Sequence, residues 1–390
     1  MEIAIVGNGI AGVTAAKSIS ENLPGAEITI FTEEEYNYYP RPLLDRLLSG
    51  SMDLNGMFPY NDEWYGKKGI RVSLGDRVTD IDTSSKKINT SKSGACGYDR
   101  LLLATGASPF VPPLEGVPAG KVFAYRNIAD VLRIRSFARD KKKAAVIGGG
   151  LLGLETAKAL ADRGMKVAVI EHNTRLLPRQ LDEEGASLIK SRIEKMNIEV
   201  LLGAAPERVD ADLFVVSAGI RSNTGLAKAC GIGVQKGILV DGGLRTDRPD
   251  VFAAGDCAEF NGTVYGIIPA ALEQGQAAAS NMIGRPVEYK GTTFQATLKV
   301  AGIDVASIGI VNPEGEGYES IIRKDAAKGI YRKCVIKDGK LAGSIIIGER
   351  SGVASLARII RDGIDISKNR DALMGDDAAL SGIPMKGSTN

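Results

Sequence analysis

Gly7-Asn8-Gly9-Ile10-Ala11-Gly12 and Gly148-Gly149-Gly150-Leu151-Leu152-Gly153 are two copies of one glycine spacing in a single chain. An apolar, strand-like run precedes each, at 2–6 and 144–147, and a helix-like run follows each. Glu33 lies twenty-one residues beyond Gly12, and Glu171 lies eighteen beyond Gly153. Such glycines permit a tight turn and a close approach of backbone to a pyrophosphate. The helix start supplies free N–H groups and positive dipole, and the acid accepts from ribose hydroxyls. One copy is a weak signal; two copies, each with strand, helix and acid, predict two dinucleotide sites and electron transfer between them.

Composition bounds the rest. The 390 residues suggest two or three domains. With 44% hydrophobic and 25% charged residues, the chain reads as an ordinary globular protein. A net charge of +2 gives no reason to expect a nucleic-acid partner, and Lys141-Lys142-Lys143 reads as a solvated edge. No apolar run reaches membrane-spanning length and no cleavable leader is visible, so no membrane association and a cytoplasmic location are expected. Cys96, Cys230, Cys257 and Cys334 are scattered, which signals neither a metal site nor a disulfide framework.

Along the chain, strands are expected at 3–6, 28–31, 70–74, 77–82, 86–89 and 101–104, the later short ones forming an antiparallel meander on a parallel sheet. The plan repeats with strands at 144–147, 166–170, 198–202 and 213–218 and a helix from 151 to 163. There, however, only 10 residues separate Leu202 from Leu213, where 26 separate Leu74 from Leu101. The second unit is therefore expected to carry a reduced meander, with its sheet covered by the C-terminal unit or a second subunit. A strand at 250–256 and a helix from 270 to 283 follow. Strands near 297–300, 305–310, 330–337 and 340–347, and a helix at 353–360, make a third unit. The fold class is α/β: two Rossmann-type dinucleotide-binding domains plus a small α+β C-terminal domain. Boundaries are set at 1–112 with 242–288, at 113–241 and at 289–370, with 371–390 a flexible tail.

Several motifs together resemble one family. They are the first glycine loop, Arg41-Pro42, Ala104-Thr105-Gly106-Ala107, the second glycine loop with Glu155, Leu176-Leu177-Pro178-Arg179-Gln180-Leu181-Asp182, and Gly255-Asp256. The chain resembles the flavoprotein pyridine-nucleotide oxidoreductases related to glutathione reductase. Within them it is similar to NADH:rubredoxin reductases and to the flavin-binding front of nitrite reductase large subunits. The resemblance implies FAD on the first Rossmann unit. Gly7, Gly9, Ile10, Ala11 and Gly12 would cradle its pyrophosphate, with Glu33, or alternatively Glu34, at the adenosine ribose. Arg41 and Pro42 would line the flavin and the Val78 backbone would meet the adenine. Ala104, Thr105, Gly106, Gly255 and Asp256 complete the site, and Pro269-Ala270 starts a helix aimed at the flavin pyrimidine.

For the second unit the resemblance implies NADH, in preference to NADPH. The residues are Gly148, Gly150, Leu151, Leu152, Gly153, Glu155, Glu171 and Gly219. Glu171 would accept from the 2′-hydroxyl and repel a 2′-phosphate, while the nearby Arg175 leaves some room for NADPH. Glu155 and Arg46 are candidate nicotinamide and flavin neighbours; Arg46 could equally pair with an acid such as Asp45. His172, the only histidine, reads as surface, Cys257 as buried packing and Trp64 as packing. Tyr36, Tyr38 and Tyr39 fit either flavin stacking or loop packing. The chain departs from the family's disulfide chemistry: 40–45 reads Pro-Arg-Pro-Leu-Leu-Asp, without cysteine. The expectation is an FAD-dependent NADH oxidoreductase that passes electrons to a small carrier such as rubredoxin, with no metal. Open alternatives are an NADH oxidase using dioxygen, a reductase subunit with a partner or as a homodimer, and a redox-sensing flavoprotein of little turnover.

Overall fold

A computed structural model describes residues 1–383 except 301 and 326, and the side chains of 297, 298 and 300 are also left aside. By internal contact the chain falls into two units. One comprises Met1–Phe110 and Gly219–Thr292, the other Val111–Ala218 and Thr293–Asn390.

The first unit is built on a five-stranded parallel sheet, ordered Val251–Ala253, Arg100–Leu103, Glu2–Val6, Glu27–Phe31, Ile70–Ser73. Strands Glu2–Val6, Arg100–Leu103 and Val251–Ala253 are nearly continuous apolar runs, as a doubly covered parallel sheet requires. Ile3, Ile5, Ile28, Ile30 and Leu102 pack on helix Ile10–Asn22 and helix Ile268–Met282. Each fully buried Ile or Leu here contributes roughly 1.5–3 kcal/mol. The two helices approach closely because Gly275 lies against the Ala11 carbonyl, where a Cβ would be only 2.7 Å from the oxygen. On the other face, Ala4, Val6, Leu101 and Leu103 pack against Ile81, Ile88 and Tyr98 of the meander.

The second unit repeats the topology: Ile198–Leu202, Lys166–Glu171, Lys143–Ile147, Leu213–Val216, Val122–Ala124, all parallel. In the first unit the outermost strand, Val251–Ala253, arrives late in the chain; here its counterpart, Val122–Ala124, arrives early. A separate five-stranded antiparallel sheet follows: Gln295–Val300, Ile303–Gly309, Lys340–Ile347, Ile330–Lys337, Tyr318–Asp325. Helix Val353–Asp362 covers one face of it through Leu356 and Ile359.

Several expectations change. Residues 70–73 join the parallel sheet, and the meander is Val78–Asp82, Lys87–Thr90 and Gly94–Gly97. The second unit carries no strand between Leu202 and Leu213, only the turn Pro206–Arg208. Its sheet is nonetheless not bare. Ala145, Ile147, Phe214 and Val216 are covered by Leu114, Val117, Ala204 and Val209 of the same unit. Neither the C-terminal sheet nor a second subunit is needed there.

The boundary at 241 also moves, because the chain has returned to the first unit by Gly219. Ile220–Ser222 pairs with Ala107–Pro109, and Ile238–Val240 pairs with Ala258–Phe260. By contact, 293–390 groups with the second unit, and within it the C-terminal residues build their own sheet as expected, of five strands. Part of the expected tail, up to 383, is folded against the C-terminal sheet. Asp376 caps the short helix Asp377–Ser381, and the fully buried Arg332 donates to the Leu373 and Gly375 carbonyls while pairing with Glu349. Residues 384–390 lie outside the described residues. No described helix is long and apolar enough to cross a membrane.

Candidate functional site

The two glycine loops have the same geometry. Gly7 has φ 112° and Gly148 has φ 113°, a region that L side chains avoid. A Cβ on Gly7 would overlap the Ala104 carbonyl, and one on Gly148 would overlap the Ser217 carbonyl. Gly12 and Gly153 back onto the Gly7 and Gly148 carbonyls in the same way. The outer glycines are thus required by packing of the protein on itself. Gly9 and Gly150 differ, for a Cβ on either would meet nothing within 4 Å. Each is the N-cap of its helix, with no side-chain cap and no acid in the first turn. Unsatisfied N–H groups and the positive dipole end therefore face open space beside a residue without a side chain, which fits a pyrophosphate. At the first loop the buried Asn8 Nδ2 also has no partner among the described residues, while its Oδ1 accepts from the Tyr65 hydroxyl at 3.4 Å.

Sheet order brings the other first-unit motifs to this loop. Leu103 and Ala253 end strands adjacent to or next beyond the strand that ends at Val6. Ala104-Thr105-Gly106 and Gly255-Asp256 therefore lie at the same carboxyl edge, where ligands of open α/β sheets bind. Gly255, at φ 86°, stands against Ala11 and donates its N–H to Gln274 Oε1 at 2.8 Å. Ser222 Oγ donates to the Asp256 carbonyl at 2.8 Å. Asn223 clamps the Ala104–Gly106 turn: its Nδ2 donates to the Thr105 carbonyl and Thr105 Oγ1 donates to the Asn223 carbonyl, both at 2.8 Å. Sequence reasoning missed Asn223, Gln274 and Tyr65, because none sits in a motif and their partners are remote in the chain. Pro269 and Ala270 lie in the first turn of helix Ile268–Met282, which has no acid there and no side-chain cap.

The two candidate ribose acids of the first unit separate. Glu33 points outward, its side chain 71% exposed and 4.0 Å from Arg77. Glu34 is drawn in, accepting from the Tyr39 hydroxyl and from Arg41 Nη2 at 3.4 Å. Pro42 belongs to the turn Arg41–Leu43. Arg46 is exposed, and it is its backbone N–H, at 2.8 Å, that binds Asp45. Tyr38 is buried and stacks on Tyr60, Tyr36 stacks on Phe58, and Trp64 stacks on Tyr60 at 4.0 Å. These aromatics pack on one another.

Val78 starts the meander, two residues after the buried Asp76, which sequence reasoning also missed. Burial pushes the Asp76 carboxyl up. Hydrogen bonds from the Ser93 hydroxyl, the Lys92 N–H and the Ser73 hydroxyl outweigh it and hold the group well below the usual carboxylate range. The Asp76 N–H in turn donates to the Thr32 carbonyl at 2.7 Å, which ties the meander to the end of strand Glu27–Phe31.

In the second unit, Gly148 N–H donates to the Ile170 carbonyl as Gly7 N–H donates to Phe31, both at 2.8 Å. By this register Glu171 corresponds to Thr32, and Ser217-Ala218-Gly219 corresponds to Ala104-Thr105-Gly106. Glu171 ends its strand buried, at 6% exposure. Its Oε2 accepts from Gly149 N–H at 2.6 Å, and its Oε1 accepts from Asn173 N–H at 2.8 Å and Asn173 Nδ2 at 2.6 Å. A carboxylate has about four lone-pair sites, so Glu171 both latches the glycine loop and keeps capacity for a ribose hydroxyl. Leu151, Leu152 and Glu155 lie in the first two turns of helix Leu151–Asp162, with Leu152 exposed and Glu155 half-buried. Arg175 is half-buried beside them in sequence, and His172 is exposed. Cys257 is fully buried and donates to the Leu103 and Ala254 carbonyls, and burial pushes its thiol up. Burial likewise raises the Cys334 thiol to about 11. These are packing thiols, not nucleophiles.

Residues 1–275 match the family described as pyridine nucleotide-disulphide oxidoreductase, and residues 295–364 match the rubredoxin NAD+ reductase C-terminal domain. The assimilatory nitrate reductase electron transfer subunit of Bacillus subtilis is 38% identical over 366 residues, covering 89% of this chain and 47% of that protein. This chain therefore spans about half the length of that relative. A protein of Methanocaldococcus jannaschii named NADH oxidase is 30% identical over 341 residues, covering 80% of this chain and 76% of its own. The crystal structure of NADH:rubredoxin oxidoreductase from Clostridium acetobutylicum superposes with a TM-score of 0.84 at 26% identity, covering 97% of this chain and 98% of that one. The family match runs through both glycine loops and through Glu33, Glu34 and Glu171, and on it the chain belongs to the pyridine nucleotide-disulphide oxidoreductase family.

Proposed function

We propose that this protein is an FAD-dependent NADH oxidoreductase that delivers electrons to a small redox protein such as a rubredoxin. The observation that carries the reading is the duplicated cradle: two uncapped helix starts, each behind a glycine with open space where a side chain would be. FAD, when bound, supplies the means to take two electrons from NADH and give them up singly. The residues do the holding. Gly7, Gly9 and Gly12 receive the FAD pyrophosphate, and the unpartnered Asn8 Nδ2 is a further donor to it. Glu34 serves as the ribose acid in preference to Glu33, since it is the one drawn in with Arg41 and Tyr39. Asp256 faces the ribityl chain, and the start of helix Ile268–Met282 stabilises negative charge at the pyrimidine side. Gly148, Gly150 and Gly153 receive NADH, with Glu171 on its ribose and Glu155 toward the nicotinamide. With no cysteine at 40–45, the disulfide chemistry in the family's name has no residues to run on. Four free cysteines suit a reducing cytoplasm.

The second reading is reduction of dioxygen, favoured by the relative named NADH oxidase. Stopped-flow mixing of the NADH-reduced protein with rubredoxin or with air decides between them. Reoxidation by rubredoxin that outpaces air by well over an order of magnitude supports the carrier reading. Faster reoxidation by air overturns it.

A further inference from the structure

The loop between Glu171 and helix Glu183–Glu194 is held at both ends. At its near end it buttresses the second glycine loop: Leu177 N–H donates to the Gly149 carbonyl at 3.1 Å, and the Leu176 side chain fills the space where a Gly149 Cβ would stand. Gly149 is also the residue whose N–H is latched by Glu171. Leu177 makes this contact with φ 51°, a left-handed conformation that is costly for a leucine. Such strain persists only where surrounding structure enforces it.

The groups that hold the loop come from strand Ile330–Lys337 of the C-terminal sheet and from Asn312, in the connection after strand Ile303–Gly309. Asn312 Nδ2 donates to two carbonyls of the loop, Pro178 at 3.2 Å and Leu181 at 3.0 Å. Asp182, which caps helix Glu183–Glu194 through Gly185 N–H, accepts from the Tyr331 hydroxyl at 2.6 Å and from Lys333 Nζ at 3.0 Å. The Lys333 and Asp182 side chains are only 12% and 17% exposed. Burial pushes the Asp182 carboxyl up, but the Tyr331, Gly185 and Lys333 donors outweigh it and keep it ionised. A half-buried, hydrogen-bonded ion pair of this kind fixes geometry more than it adds stability. The three donors hold the far end of a strained loop whose near end sets the position of Gly149 and Glu171.

We propose that the C-terminal sheet is a positioning strut for the pyridine nucleotide. In this role Asn312, Tyr331 and Lys333 lock the 176–182 loop, and through it the backbone and acid that meet the adenosine half of NADH. All three act through the loop, so each is a positioning residue. The inference rests on the placement of NADH at residues 148–153. It gives the C-terminal sheet a duty at the nucleotide site besides any docking role.

The test is calorimetric binding of NAD+ to the full-length, FAD-loaded protein and its Asn312→Ala and Lys333→Met variants, alongside steady-state kinetics with a dye acceptor. Loss of preorganisation should weaken NAD+ binding roughly tenfold and raise KM for NADH by about the same factor, with kcat at saturating NADH changing far less. Flavin content should stay at the wild-type level. If either variant retains its flavin and melting temperature and binds NAD+ within about twofold of wild type, the strut is wrong. The same holds if kcat falls as much as KM rises. If the wild-type protein binds no NAD+ and NADH leaves its flavin oxidised, the placement of NADH itself fails.

Discussion

Glu171 does more than its position in the sequence announces. The spacing predicts a ribose acid; the structure makes the same carboxylate the latch of the glycine loop. Two effects of Glu171→Ala follow. Discrimination between NADH and NADPH should shrink by roughly 1–2 kcal/mol, because one charge-assisted hydrogen bond and the repulsion of a 2′-phosphate both go. Stability should also fall, since Gly149 N–H loses its acceptor. The ratio of kcat/KM for the two nucleotides measures the first, and a wild-type protein that prefers NADPH would refute the assignment. The first unit shows why a spacing rule blurs at this scale. By backbone register Thr32, not an acid, matches Glu171, and the acids come later, one facing solvent and one facing Arg41. Counting residues from a glycine cannot resolve which of two neighbouring acids turns inward.

Asp76 was invisible to that reading because an isolated acid in a polar stretch looks like any turn residue. Its partners Ser73, Lys92 and Ser93 reveal it only once the meander is folded. Since its pKa is depressed in the folded state, it contributes stability above the unfolded carboxylate pKa, and that contribution is lost as pH falls toward the folded one. Wild type should thus exceed Asp76→Ala in stability at neutral pH, by roughly 1–3 kcal/mol. The gap should close as the pH falls below about 4. Denaturant titrations at several pH values measure it; a gap that widens in acid would contradict the network.

At the scale of elements, the duplication makes a reciprocal prediction. A Cβ at Gly12 or Gly153 runs into the carbonyl of its own loop. Gly12→Ala should yield protein with little flavin. Gly153→Ala should yield protein that keeps flavin but is reduced by NADH only at far higher concentration. Flavin absorbance after gel filtration and KM for NADH separate the two, and the same defect from both substitutions would deny two distinct sites. The parallel strands were legible because they are short and apolar, and the predicted 198–202 strand matches residue for residue. Tyr318–Asp325 was not legible, for it is an edge strand with a mostly exposed face and no clean alternation. Gly94–Gly97 was missed for the opposite reason: its Gly-Ala-Cys-Gly has almost no side chain to form a pattern. The reduced meander was read correctly from length alone, but what covers the sheet was not. Leu114, Val117 and Val209 lie in segments without periodicity.

For the whole molecule, the sequence predicts two dinucleotide sites and a C-terminal sheet, while the return of the chain at Gly219 emerges only from Asn223, Ser222 and their long-range partners. The assignment of electron flow to flavin without thiols is open to a direct check. Alkylating agents under native conditions should leave NADH-to-dye transfer nearly intact, since Cys257 and Cys334 are buried and no cysteine stands at 40–45. Inactivation by a single alkylated cysteine, with protection by NADH, would expose a catalytic thiol.

The central claim is that one chain holds a flavin and a nicotinamide in two copies of one cradle and passes electrons between them. An anaerobic titration of the purified yellow protein with NADH tests it most directly. The account predicts about one FAD per chain, bleached by about one equivalent of NADH, with Gly153→Ala shifting the titration and leaving the flavin bound. A chain that holds no flavin after reconstitution, or one whose flavin stays oxidised under excess NADH, would contradict it.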